Sequence, residues 1–153
     1  MLDQDEQSLH SRFTDFEKFC RKKGLKMTHQ RLEIYRELLT SKDHPTVEAL
    51  FLRVRKRIPT ISLDTVYRSL ALLEEAGMTN RIQTSEGLTR FESDYGAHHH
   101  LICKKCQTIE DFTWKSFDTM LLPPELEAWG AIQTRNIVAE GICTACLKKE
   151  KKK

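Results

Sequence analysis

Cysteines and histidines carry the chemistry this sequence offers. Cys103-x-x-Cys106 recurs as Cys143-x-x-Cys146, with 36 residues between the two motifs. Two such knuckles, each presenting two thiolates to one side of a tight turn, make a tetrahedral four-sulfur site suited to zinc. The long spacing means that the site would pin two distant segments together, and structural zinc sites contribute about 10 to 16 kcal/mol of binding free energy to folding. A pair of redox disulfides or an iron–sulfur cluster are the other uses of the same spacing. Cys20, the fifth cysteine, shares a helical segment with Phe13, Phe16 and Phe19 and reads as a small buried hydrophobe.

Three histidines, His98, His99 and His100, precede the first knuckle. In an extended chain His98 and His100 point to one face and His99 to the other. A pair of imidazoles needs further ligands, and the candidates are Glu92, Asp94, Asp111 and His44. Mixed nitrogen and oxygen ligation suits Fe(II), Mn(II), Zn(II) or Co(II). A histidine-rich loop with no bound metal is the plainer alternative. His10 and His29 read as surface residues.

The elements that must position these groups follow from periodicity and capping. Phe13, Phe16 and Phe19 mark a first helix ending near Gly24. Thr28 caps a second, with Leu32, Ile34, Tyr35, Leu38 and Leu39 on its apolar face; Thr46 caps a third, running to about Arg57. Ser62 caps a fourth, "LDTVYRSLALLEEAG", whose Leu63, Val66, Leu70 and Leu73 define a buried side and leave Asp64, Thr65, Arg68 and Glu75 outward. "RIQTSEGLTRFES" then reads as a hairpin turning at Ser85-Glu86-Gly87. Three short helices, a capped longer one and a hairpin form a winged helix-turn-helix pattern. The fourth helix would be the reading helix, with Thr65, Tyr67 and Arg68 placed for a major groove.

Beyond residue 94 the texture changes. "HLICKKCQTIEDFTW" reads as strand, turn, strand; "SFDTMLLPPELEAWG" as a short helix broken by Pro123-Pro124; "AIQTRNIVAEGICTAC" as strand again. So little apolar material over some sixty residues calls for a metal staple, an oligomer interface, or both. The expected fold class is α+β, with a winged-helix DNA-binding domain over 1–94, including the wing hairpin and hinge. A small zinc-stapled α/β dimerisation domain with a basic tail follows over 95–153.

Charge and hydropathy narrow the function class. The 153 residues carry a net charge of +3 with 39% hydrophobic and 31% charged residues, which is a globular composition. No apolar run reaches the roughly 18 to 20 residues of a membrane span, and the acidic, polar "MLDQDEQSLHSRF" lacks the pattern of a signal peptide. The expected location is the cytoplasm, where cysteines stay reduced or bind metal. Residues 1–20 hold two cations against five acids, whereas residues 21–68 hold twelve against five. That middle block could meet phosphate or could simply be a solvated face.

Together, "HPTVEALFLRVRKRIPTISLDTVYRSLALLEEAGM", "RFE", "HHHLICKKCQTIEDF" and the distal "CTAC" resemble the ferric-uptake-regulator superfamily of bacterial metal-dependent repressors, over about residues 10 to 147. The resemblance implies a structural zinc on Cys103, Cys106, Cys143 and Cys146. It implies a regulatory Fe(II) or Mn(II) at the domain junction on His44, Glu92, His98, His100 and Asp111. It further implies a homodimer that binds a palindromic operator in double-stranded DNA, with Tyr67 and Arg68 as contacts, and that represses iron-homeostasis or peroxide-stress genes when the regulatory ion favours a closed form. Two departures stand out. A further metal site of some iron-responsive members has histidines where this chain has Ala97 and Arg135; that site is expected to be absent, leaving His99 without a partner. Peroxide-sensing members resemble the chain in their two-histidine site, and in them oxidation of a ligating histidine ends repression. Those sensors carry aspartate in the place of Glu92, however, while Glu92 and Arg68 resemble the iron-responsive type, so both subtypes stay open. Zinc, manganese or nickel response within the family, a mononuclear metalloenzyme and an unregulated zinc-ribbon module are the alternatives. No H-E-x-x-H, nucleophile motif or glycine-rich cofactor loop supports the enzyme.

Overall fold

A computed structural model of the chain describes residues 4–84, 87–93 and 96–150, with side chains from residue 7 onward. Asp94, Ser85 and Glu86 of the expected hairpin turn, and the end of the lysine tail lie outside the described residues. The chain forms two compact units, Met1–Tyr95 and Gly96–Lys153.

In the first unit four helices lead into a two-stranded hairpin: α1 (Gln4–Lys22), α2 (His29–Thr40), α3 (Val47–Arg55), α4 (Leu63–Glu75), β1 (Asn80–Gln83) and β2 (Thr89–Glu92). Three helices start where a hydroxyl stands ready to accept an orphan amide: Thr28 accepts from the Arg31 N–H, Thr46 from that of Ala49, and Ser62 from that of Thr65. Gly24, just past α1, and Gly77, past α4, both adopt φ near +70°, the left-handed turn that ends a helix most cheaply at glycine.

One core joins the helices. Phe16 and Cys20 of α1, Ile34, Tyr35 and Leu38 of α2, Leu50 and Val54 of α3, and Val66, Leu70 and Leu73 of α4 are all buried, with Phe91 of β2 packed among them. Phe13 and Phe16 meet the Tyr35 ring edge-on, at 5.7 and 5.1 Å between centroids. Cys20 is the buried hydrophobe its position implied, and burial pushes its thiol pKa up. Leu63 departs from expectation. At the first position of α4 it stays 37% exposed. The hairpin pairs antiparallel with Arg81 opposite Phe91.

The basic block over residues 21–68 is less free than its composition implied. At least six of its twelve cations are paired: Arg21 with Glu17, Lys23 with Glu75, Arg36 and Arg57 with Glu33, Arg53 with Asp43, and Arg68 with Asp64. Three of these pairs lie within one helix, and the pairs of Lys23 with Glu75 and Arg57 with Glu33 tie one helical segment to another.

The second unit is a three-stranded sheet with short helices: β3 (His99–Cys103), β4 (Ile109–Phe112), α5 (Lys115–Asp118), α6 (Pro124–Trp129), β5 (Val138–Gly141) and α7 (Thr144–Glu150). The order is β4-β3-β5, with β3 antiparallel to β4 and parallel to β5. The strand, turn, strand reading of the first knuckle holds. The reading of "GICTAC" as strand does not: β5 ends at Gly141 and Cys146 lies in the first turn of α7. Alternation says nothing about a seven-residue helix whose placement depends on sulfur partners elsewhere. The core is small, Ile102 and Ile109 with Cys103, Cys146 and His99, while every residue of β5 is exposed. Among the described residues no helix is long and apolar enough to cross a membrane.

Candidate metal centres and reading helix

The knuckles converge. Cys103, Cys106, Cys143 and Cys146 bring their sulfurs within 4.8 Å of one another; Cys103 Sγ lies 4.0 Å from Cys146 Sγ, and Cys106 Sγ 3.7 Å from Cys143 Sγ. A disulfide would need about 2.05 Å, and all five cysteines are free. Four sulfurs at about 2.3 Å from a tetrahedral zinc ion stand about 3.8 Å apart, so the observed spacing fits zinc. The local chemistry fits as well. The Cys143 amide donates to Cys103 Sγ at 3.3 Å and, with the Cys106 amide, pulls that thiol down to about 6. The Thr108 hydroxyl, 3.2 Å from Cys106 Sγ, holds that thiol below its ordinary range. Burial pushes the Cys146 thiol up to about 12, and a cation at the centre is what would make this group a thiolate. The knuckle lysines are turned outward, Lys104 to Glu140 and Lys105 to Glu150. Gln107, in a left-handed conformation at φ 59°, closes the first turn by donating its amide to the Cys103 carbonyl.

Each unit also buries a histidine against a carboxylate. In the first, His44 Nε2 lies 3.5 Å from Glu92 Oε2, both side chains less than a tenth exposed. His44 is a non-glycine residue at φ 49°, a conformation costing about 1 to 3 kcal/mol that persists only when its surroundings impose it. Here the Arg90 guanidinium donates to the His44 carbonyl at 3.3 Å, and the Phe91 amide donates to the Pro45 carbonyl at 3.0 Å. On the other side of Glu92, the Thr79 hydroxyl donates to its carbonyl at 2.6 Å and Arg12 donates to that of Ser93 at 2.7 Å. In the second unit His100 Nε2 lies 3.5 Å from Asp111 Oδ1, the two residues being partners in the β3–β4 pairing. The His98 ring stands edge-on to His100 at 4.8 Å between centroids, with its Nδ1 2.7 Å from the Gly96 carbonyl. Imidazoles facing carboxylates at this distance suit Fe(II) or Mn(II).

His99 is not without a partner. Fully buried between Phe112 and Phe117, it accepts the Ile137 amide at Nδ1, 3.2 Å away, and sets Nε2 3.3 Å from Asp118 Oδ1. Arg135 covers the Phe117 ring and donates to the Asp118 and Met120 carbonyls. His99 therefore ties β3 to α5 and to the approach of β5. Only proximity of residues 38 positions apart reveals it.

On α4, Arg68 points to solvent with its guanidinium 2.8 Å from Asp64. Tyr67 is half exposed, and its hydroxyl donates to Glu48 Oε1 at 3.2 Å. The Thr65 hydroxyl lies 2.8 Å from that of Ser62, at the cap. Glu48 escaped the sequence reading, since nothing in its spacing links it to a tyrosine nineteen residues on.

Known proteins resemble this chain in sequence and in fold. The ferric uptake regulation protein of Rhizobium leguminosarum bv. viciae is 40% identical over 113 residues, 73% of this chain and 73% of that protein. The peroxide-responsive repressor PerR of Staphylococcus epidermidis is 33% identical over 98 residues, 64% of this chain; the match spans 65% of that protein's length. The ferric uptake regulator Fur of Helicobacter pylori, described with three functional metal binding sites, matches in fold with a TM-score of 0.79 at 24% identity, over 91% of this chain and 93% of its own. Residues 22–121 match the ferric uptake regulator family, and the chain belongs to it.

Proposed function

We propose that the protein is a metal-dependent transcriptional repressor, a homodimer that binds a palindromic operator and controls iron-homeostasis or peroxide-stress genes in the cytoplasm. The observation that carries this reading is a buried histidine facing a carboxylate in each unit: His44 with the buried Glu92 in one, and His100 with the more exposed Asp111 in the other. Carboxylates are rarely buried unless paired or ligating a metal. Donors of one kind split between two units are what a regulated junction needs. In this proposal both pairs, with His98, hold one Fe(II) or Mn(II) ion, whose positive charge links the two units. A dimer that brings the pairs together binds that ion better than one that keeps them apart, so occupancy shifts the population toward the form whose reading helices match two half-sites. A hundredfold preference is worth about 2.7 kcal/mol. Thr65, Tyr67 and Arg68 face the major groove, residues to about 94 form the DNA-binding domain, and the remainder dimerises through its exposed sheet edge. The four cysteines hold a structural zinc, and the protein has no catalytic turnover.

Relatives bearing iron-uptake and peroxide-response names both support the family reading, and one experiment divides the subtypes. Protein loaded anaerobically with Fe(II) is bound to operator and given one equivalent of hydrogen peroxide. In a peroxide sensor the operator is released and a peptide carrying His44, His98 or His100 gains one oxygen; in an iron regulator binding follows iron occupancy alone. The general reading is tested with His98→Ala, which keeps the fold and loses metal-dependent operator binding. Full operator affinity in metal-free His98→Ala protein would sink the junction switch.

A further inference from the structure

We propose that Glu48 is a positioning residue of the reading surface: its carboxylate holds the Tyr67 phenol in one place and so sets which base edge the ring meets. This rests on the reading of α4 as the DNA-reading helix and extends it to a residue on a different helix.

Glu48 stands in the first turn of α3, two residues past the Thr46 cap, and Tyr67 in the second turn of α4. The phenol donates to Glu48 Oε1 at 3.2 Å. The negative charge of Glu48, then that hydrogen bond, push the phenol pKa up. Beside the contact lies a cleft of about 240 Å³ between α4 and the hairpin, lined by Glu48, Tyr67, Arg81 and Thr89 among others. Open space therefore borders the half-exposed Tyr67 ring, and the Glu48 contact is what restrains it on that side.

Electrostatics sharpens the inference. A carboxylate on a surface that meets phosphate weakens binding to every sequence alike, so Glu48 acts against affinity and can favour only discrimination. The neighbouring Arg68 repeats the arrangement, with Asp64 2.8 Å from its guanidinium. Both exposed side chains proposed to read bases are thus held by an acid.

The test uses the full-length dimer loaded with Mn(II), a duplex selected in vitro by the wild-type protein, and a random duplex of equal length, compared by fluorescence anisotropy. In Glu48→Ala the ratio of selected to random affinity falls about tenfold, while random-duplex affinity is kept or tightens. Glu48→Gln, whose amide oxygen still accepts from the phenol, recovers most of the ratio. Tyr67→Phe matches Glu48→Ala, and the double variant is no worse than either, the non-additivity expected of one shared contact. Replacing contacted thymines by deoxyuridine, which removes only the methyl, costs the wild type more than it costs Glu48→Ala. An unchanged ratio in Glu48→Ala alongside a reduced one in Tyr67→Ala overturns the role of Glu48 alone. An unchanged ratio in Tyr67→Ala overturns the reading of α4 itself, and Glu48 with it.

Discussion

Replacing Cys143 by serine tests how far the second unit depends on its sulfur cluster. The substitution leaves three thiolates where the geometry calls for four, and it removes a sulfur that lies 3.7 Å from Cys106 Sγ. Four-ligand structural sites bind zinc with about 10 to 16 kcal/mol, corresponding to dissociation constants from about 50 nM down to about 1 pM. At about 10 µM free zinc, a ligand that binds only the folded state stabilises it by RT ln(1 + [L]/Kd), here about 3 to 9 kcal/mol. Whole domains are stable by only about 5 to 15 kcal/mol, and the apolar core of this unit is little more than Ile102 and Ile109 with two of the cysteines. The first unit has its own core of fourteen buried residues. Cys143→Ser should therefore lose its zinc and the dispersed amide NMR signals of residues 96–150, while the signals of residues 7–84 persist. Chelating zinc from the wild type should reproduce the pattern. Retention of dispersed second-unit signals in a variant shown by elemental analysis to hold no zinc would refute the reasoning.

Three further outcomes follow from the same geometry. Arg68→Ala should weaken operator binding about tenfold, the scale of one good side chain–base contact, with metal content per chain unchanged; equal affinity by anisotropy would count against the reading helix. His99→Ala removes a fully buried ring together with its contacts to Ile137 and Asp118, and should cost the second unit about 3 kcal/mol in denaturant melts without loss of zinc. Arg53 donates to Asp43 and holds that carboxyl below its ordinary range. A depressed folded-state value means that the pair contributes above the ordinary carboxylate range, and the contribution is lost as pH falls through it. Asp43→Asn should accordingly flatten the acid limb of thermal stability by at most about 1 kcal/mol, because the pair is largely solvent-exposed. An unaltered acid limb would show that the pair contributes nothing.

Much of this protein was legible in the chain because the relevant signals are local. A hydroxyl three residues before an amide it can accept from makes a cap whatever the rest of the molecule does, so Thr28, Thr46 and Ser62 announced three helices. Apolar periodicity then placed Ile34, Tyr35, Val66 and Leu70 inside. The repeated C-x-x-C named all four sulfurs that converge, since ligand type and spacing are properties of short segments. Only the tertiary structure decided the rest. Leu63 continues the apolar spacing of α4 yet is left exposed at its first position. Cys146 lies in a short helix and not on a strand, with its sulfur beside that of Cys103. His99 finds Asp118 and Ile137, Glu48 finds Tyr67, Lys23 finds Glu75 and Arg57 finds Glu33. Each is a contact between groups that sequence order keeps apart, and a side chain's partner is set by distance in space, which the pattern along a chain does not record.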